Sequence, residues 1–173
     1  MTIDEAVHIV EYDPCWPAVF AAERELLCQG LPVSETNVEH IGSTAVPGLE
    51  AKPVIDLMLG VTSYPPPTAL ALGIERLNYE NLGEAGVPER LYFRRRVPEA
   101  FNLHVVRRGG KHWVSNLALR DYLRTHASAR RRYTETKRQA LASGQNTLLS
   151  YSEAKARVIN EMLTQALEWN HAS

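Results

Sequence analysis

An eight-residue apolar run, Val54 to Val61 (VIDLMLGV), contains a single carboxylate, Asp56. A run this short and apolar reads as a strand buried on both faces. In such a place an ionised side chain costs on the order of several kcal/mol unless a cation or a set of donors meets it. Whatever fold the chain adopts must therefore bring Asp56 a partner. The preceding segment, HIGSTAVPGLEAKP, ends a strand-like VEHI at Gly42-Ser43 and passes through Pro47-Gly48 and Lys52-Pro53. Gly42 allows close approach of backbone to a ligand, and Ser43 adds a hydroxyl and its own N–H, the makings of a small anion cradle. The expected partner of Asp56 is this turn, either directly through its N–H groups or through a bound cation.

Length and composition bound the possibilities. A chain of 173 residues with 45% apolar and 23% charged side chains suits one domain, taken as residues 1–173, with a sizeable core. The start, TIDEAVHI, lacks the basic region and apolar core of a signal peptide, and the apolar stretches are strand-sized, so no membrane association and a cytoplasmic location are expected. Cys15 and Cys28 fit neither a disulfide framework nor a zinc motif. A net charge of -1 argues against bulk attraction to polyanions. Between Arg120 and Arg138 seven Lys or Arg stand against Asp121 and Glu135, but with few aromatic residues interleaved a nucleic-acid surface is disfavoured.

The pattern along the chain predicts a mixed sheet flanked by helices, an α/β or α+β architecture with a helical C-terminal part. Val7 to Tyr12 reads as a first strand, and Trp16-Pro17 opens a helix that should end near Gly30 in a left-handed cap. Leu70, Ile74 and Leu77 repeat at helical spacing, and Asn78 to Glu89 reads as a loop over the site. Leu91 to Val97 and Phe101 to Arg107 form a hairpin in which Arg94 and Arg96 share one face, as do Asn102 and His104. Three further helices follow, the last begun by the capping box Ser150-Tyr-Ser-Glu153, which aligns Tyr151 with Lys155.

These placements nominate a site. Gly42, Ser43, Lys52, Arg94, Tyr151 and Lys155 are the candidate ligand or phosphate contacts, Asp56 and His104 the candidate catalytic pair, and Asp56, His40 and His104 a candidate divalent-metal set. Each has a plainer alternative: core histidines for His40 and His104, a salt-bridged face for Arg94, and a solvated loop position for Lys52.

The motifs EYDPCWP, HIGSTAVPGLEAKPVIDLMLGV, LYFRRR, NLHVV, LALRDYLRTH and YSEAK, taken in order, resemble the GrpB family, and the Gly-Ser to acid spacing resembles the wider nucleotidyltransferase superfamily. In that superfamily Gly-Ser holds a triphosphate and acids on the next strand hold metal; twelve residues separate Ser43 from Asp56 here. The resemblance implies a nucleotidyltransferase-like fold and binding of a nucleotide or other phosphorylated small molecule. Phosphoryl or nucleotidyl transfer with magnesium or manganese would accompany it. Fusion of the family to dephospho-CoA kinases implies instead an accessory domain that assists folding or regulates such a protein partner. Met58 stands where the superfamily carries its second acid, so ligand binding with slow or absent two-metal transfer is expected.

Overall fold

The computed structural model describes residues 4–172. Its centre is a five-stranded sheet built from β1 (Val38–Ile41), β2 (Ile55–Val61), β3 (Glu80–Asn81), β4 (Arg90–Arg95) and β5 (Phe101–Arg107), in the order β1-β2-β5-β4-β3. Only the β2–β5 pair is parallel; the other neighbours run antiparallel, so the sheet is mixed as the sequence predicts. Helices α1 (Trp16–Gly30) and α2 (Thr68–Arg76) precede the β4–β5 hairpin, and α3 (Lys111–Thr125), α4 (Ala127–Ala142) and α5 (Leu148–Ala172) follow it. The arrangement is α+β with a helical C-terminal part.

Strand alternation divides the apolar residues between two layers. Ile55, Leu57, Leu59, Phe93, Leu103 and Val105 pack with Leu27 and Leu31 and with Leu70 and Ile74 of α2 in the main core. At about 25 cal/mol per Å² of apolar surface, a fully buried Leu such as Leu57 or Leu103 contributes about 2 kcal/mol. The opposite face carries Ile41, Met58 and Val106 beneath Trp113 of α3. A third cluster joins Val46 and Leu49 of the turn-rich segment to Leu123, Tyr133 and Met162 of α3, α4 and α5. The C-terminal helices are thereby fastened to the segment between β1 and β2.

Four local expectations are corrected. Val7 to Tyr12 forms no strand but makes isolated bridges, Val10 to Ala51 and, just before it, Ala6 to Thr147, because its neighbours offer single partners rather than a ladder. The stretch from Asn78 to Glu89 contains β3, whose Glu80 and Asn81 pair with Arg94 and Phe93, so it completes the sheet edge. Helix α1 ends with Leu31 in extended conformation, and Gly30 instead sits under the Leu77 side chain, whose Cδ2 would stand 3.0 Å from a Cβ there. Helix α5 begins at Leu148 rather than at the Ser150 box. Thr147 is the residue before the helix, and Ser150 Oγ lies 3.0 Å from its hydroxyl. The N-terminal segment covers that helix start, with Leu148 N–H donating to Glu5 O and Leu149 N–H to Asp4 Oδ1.

Candidate anion-binding site

Register places the polar groups. Asp56, Asn102 and Arg94 stand side by side across β2, β5 and β4, and Met58, His104 and Tyr92 do so two residues further on. All six side chains lie on the face that α3 partly covers. Asp56 and His104 therefore share a face, with His104 Nε2 3.6 Å from Asp56 Oδ1. The partner of Asp56 comes mainly from β5 rather than from the Gly-Ser turn: Asn102 Nδ2 donates to Asp56 Oδ1 at 2.6 Å. The carbonyl oxygen of Asn102 is itself fixed by Tyr92 Oη at 2.7 Å and Arg96 at 3.0 Å, which sets the amide orientation. Gly42 contributes space. At φ +71° it adopts a conformation that favours glycine, and a Cβ there would stand 2.6 Å from Asp56 Oδ2.

Burial opposes the charge on Asp56, but Lys52 and the contacts from His104 and Asn102 outweigh it and hold the carboxyl well below the usual carboxylate range. His104 is itself pushed down by burial, against the pull of Asp56. It supports Asp56 from the sheet side.

Around Asp56 a cavity of about 190 Å³ is lined by Gly42 and Ser43 from the turn, Lys52 from the loop before β2, Lys137 and Tyr133 from α4, and Tyr151 and Lys155 from α5. Tyr151 and Lys155, aligned one turn apart, reach the wall together, with Lys155 Nζ 3.8 Å from the Tyr151 ring centroid. The lysines share the space with one carboxylate. Burial and the neighbouring Lys52 lower Lys155 to about 8 despite Asp56. Burial and Lys155 lower Lys137 to about 7 despite Glu50.

Lys137 and Tyr133 were not legible as site residues. Lys137 belongs to the basic run of α4, and only the tertiary structure turns it inward, where it donates to Ser43 Oγ at 3.0 Å and to Glu50 O. Asn102 was visible as a polar residue on the right strand face, but its bond to Asp56 needed the β2–β5 register.

Three expected members are not part of the cavity wall: His104, which stands beside Asp56 on the sheet, and His40 and Arg94, which are engaged elsewhere. His40 pairs in register with Leu57 and so faces the main core. Its ring stacks on Phe20 at 4.7 Å and its Nε2 lies 3.0 Å from Thr44 Oγ1, and burial lowers it to about 4. It is a core histidine. Arg94 shares the face of Asp56 but is held by Glu80, at 2.8 and 2.9 Å, and by Glu5 at 3.8 Å. Two acids make its carboxylate contacts, and it lies outside the cavity wall.

The candidate divalent-metal set is not brought together: Asp56 and His104 share one face of the sheet and His40 lies on the other. A two-metal clamp needs bridging anionic ligands. On β2 the place two residues after Asp56 is Met58, fully buried beneath Trp113, and His40 lies across the sheet. Among the described residues no three His, Cys, Asp or Glu side chains are grouped to hold a metal ion. Lysines rather than further carboxylates line the cavity beside Asp56. These residues do not fit a magnesium or manganese pair.

Fold and cavity together define an α+β protein with a compact, lysine-lined cavity between its sheet and its C-terminal helices. Residues 6–165 match the family described as GrpB protein, and the chain belongs to that family. It is 33% identical over 165 residues to a UPF0157 protein of Halalkalibacterium halodurans, covering 93% of this chain and 83% of the relative. The glutamate-rich protein GrpB of Alkalihalophilus pseudofirmus is 27% identical, with 92% and 95% covered. The crystal structure of the conserved protein GrpB from Enterococcus faecalis superimposes with a TM-score of 0.82 at 31% identity, covering 94% of this chain and 99% of that one.

Proposed function

We propose that this protein binds a phosphorylated small molecule, a nucleotide among the candidates, by drawing its phosphoryl groups into the cavity beside Asp56. The observation that carries this reading is the convergence of Lys52, Lys137 and Lys155 on one cavity that holds a single carboxylate. Burial without matching acids disfavours the ammonium form of Lys137 and Lys155, and an entering dianion offsets that cost. Ser43 Oγ and the Gly42 backbone add neutral polar contacts at the same wall. The volume of about 190 Å³ suits one or two phosphoryl groups, leaving the remainder of the ligand outside. The open, charged cavity favours a ligand-binding role over that of a silent accessory domain.

Isothermal calorimetry with pyrophosphate and nucleoside triphosphates, on wild type and on Lys155→Gln, tests the reading. Loss of one charge-assisted contact should weaken binding about 10-fold or more, equivalent to about 1.4 kcal/mol or more. Affinity should also fall as salt rises. Absence of binding at millimolar pyrophosphate, or equal affinity in the variant, would sink the proposal.

A further inference from the structure

Ser43 and Lys137 meet across the cavity wall in a way that anion binding alone does not require. Lys137 is 2% exposed, and its Nζ lies 3.0 Å from Ser43 Oγ. Its remaining contacts are the Glu50 carbonyl oxygen and the face of Tyr133, 4.5 Å from the ring centroid. Among the described residues no carboxylate hydrogen-bonds to it; the Glu50 carboxylate attracts it but is bonded to Arg138. The groups that face it are Ser43, Tyr133, Glu50 and, from α5, Lys155; Tyr151 and Asp56 share the cavity. A lysine buried with no carboxylate bonded to it, brought down to about 7, is substantially a free amine near neutral pH. A free amine within hydrogen-bond reach of a hydroxyl is the arrangement of an activated serine.

We propose that Ser43 is a nucleophile, with Lys137 as its general base, toward the terminal phosphorus of a phosphoric anhydride seated in the lysine-lined cavity. The choice of substrate class rests on the phosphate-binding reading above. In the step, Ser43 Oγ forms a bond to phosphorus while the bond from phosphorus to the bridging oxygen breaks. The hydroxyl proton passes to the neutral Nζ of Lys137. The leaving oxygen departs as an anion, a carboxylate or a shortened polyphosphate, so it needs no proton, and Lys52 and Lys155 meet its charge. The products are a phosphoserine at position 43, an ammonium at Lys137 beside it, and the free leaving group.

An uncharged fluorophosphonate tests nucleophilicity without relying on anion binding: Oγ bonds to phosphorus, fluoride leaves, and Lys137 takes the proton. On the intact protein, peptide mass mapping should find the adduct on Ser43, with a rate that rises through a midpoint near 7 and then levels. Labelling should vanish in Ser43→Ala and fall at least about 100-fold in Lys137→Arg, since arginine keeps the charge but cannot accept a proton. No adduct on Ser43, or an unchanged rate in Lys137→Arg, would overturn the proposal. Should Lys137→Arg fail to fold by circular dichroism, the wild-type profile decides: a rate still climbing about tenfold per pH unit near pH 10, as hydroxide alone would give, is the adverse result. Calorimetry with pyrophosphate on the wild type keeps the two readings apart. Binding without labelling removes the nucleophile alone, whereas labelling without binding leaves the nucleophile and overturns its anhydride substrate class.

Discussion

At the scale of single residues, the site is a contest between burial and charge, and pH is the lever that exposes it. Burial is the largest influence on both Lys137 and Lys155, and it favours the neutral amine. A bound phosphate favours the ammonium, so binding takes up protons at any pH above the free-protein values of about 7 and about 8. Anion affinity is therefore full on the acid side and declines as pH rises through 7 and then 8, approaching about tenfold per pH unit for each lysine once past its own value. Calorimetry with sulfate, whose own charge does not change between about pH 6 and 9, should show this decline, with proton uptake visible as a dependence of the heat on buffer ionisation. A flat profile would mean that neither lysine contacts the anion. Self-phosphorylation by an anionic donor such as acetyl phosphate needs Lys137 neutral while the bound donor favours its ammonium, so its rate should climb through a midpoint above the free-protein value of about 7. Asp56 sets this balance from the other side, and it was the residue the sequence announced most clearly: one acid in an apolar strand. Its partner was not announced, because an Asn on another strand becomes a neighbour only once the parallel β2–β5 register is known.

At the scale of elements, the strands and helices that bury a continuous apolar face were legible, since period-2 and period-3.6 patterns reflect which side meets the core. The hairpin β4–β5, with Leu103 and Phe93 turned inward and Asn102 and His104 turned to the other face, followed from alternation alone. Elements that exist through single contacts were not legible: Val7 to Tyr12 has strand-like composition but only isolated bridges, and the two-residue β3 is too short to pattern. Lys137 shows the same limit within a helix, because a basic residue in a basic run carries no local sign of facing inward. One element contact is sharply testable. A Cβ on Gly60 of β2 would stand 2.6 Å from Trp113 Cζ3 and 3.0 Å from Cε3, so this glycine lets α3 lie flat on the sheet. Alanine is ordinarily the better strand residue, yet the rigid indole has to move to admit it. Gly60→Ala should therefore cost about 1–3 kcal/mol in urea unfolding. A neutral or stabilising result would show that α3 shifts freely over β2.

At the scale of the whole molecule, the cavity has two walls from distant parts of the chain: Gly42, Ser43, Lys52 and Asp56 on the sheet side, Tyr133, Lys137, Tyr151 and Lys155 on the helical side. Its geometry holds only while α4 and α5 stay docked. The cluster around Val46, Leu49, Leu123, Tyr133 and Met162 provides one fastening. The segment before α1 provides another. The Glu5 carboxylate bonds to Arg96 at 2.7 and 2.9 Å and lies 3.8 Å from Arg94, while the Glu5 carbonyl accepts from Leu148 N–H at the start of α5. Arg96 in turn donates to Asn102, the residue that holds Asp56. Glu5 thus connects the start of the helix that carries Tyr151 and Lys155 to the network that orients the carboxylate. The Arg96 guanidinium, with its bonds to Glu5, holds the Glu5 carboxyl below its ordinary value against the opposing effect of burial. Glu5→Ala leaves two partly buried guanidinium groups short of a shared acceptor, which should cost about 1–3 kcal/mol. Fastening predicts more than a stability loss: hydrogen exchange should quicken at the first turns of α5 while the amides of β2 and β5 keep their protection. Pyrophosphate affinity should fall with it, because Lys155 is no longer held opposite Asp56. Glu5→Gln keeps the shape and a neutral acceptor and should recover part of both effects. Uniform loss of protection across sheet and helices would identify Glu5 as a general stabilising residue, and unchanged exchange in α5 would remove its fastening role.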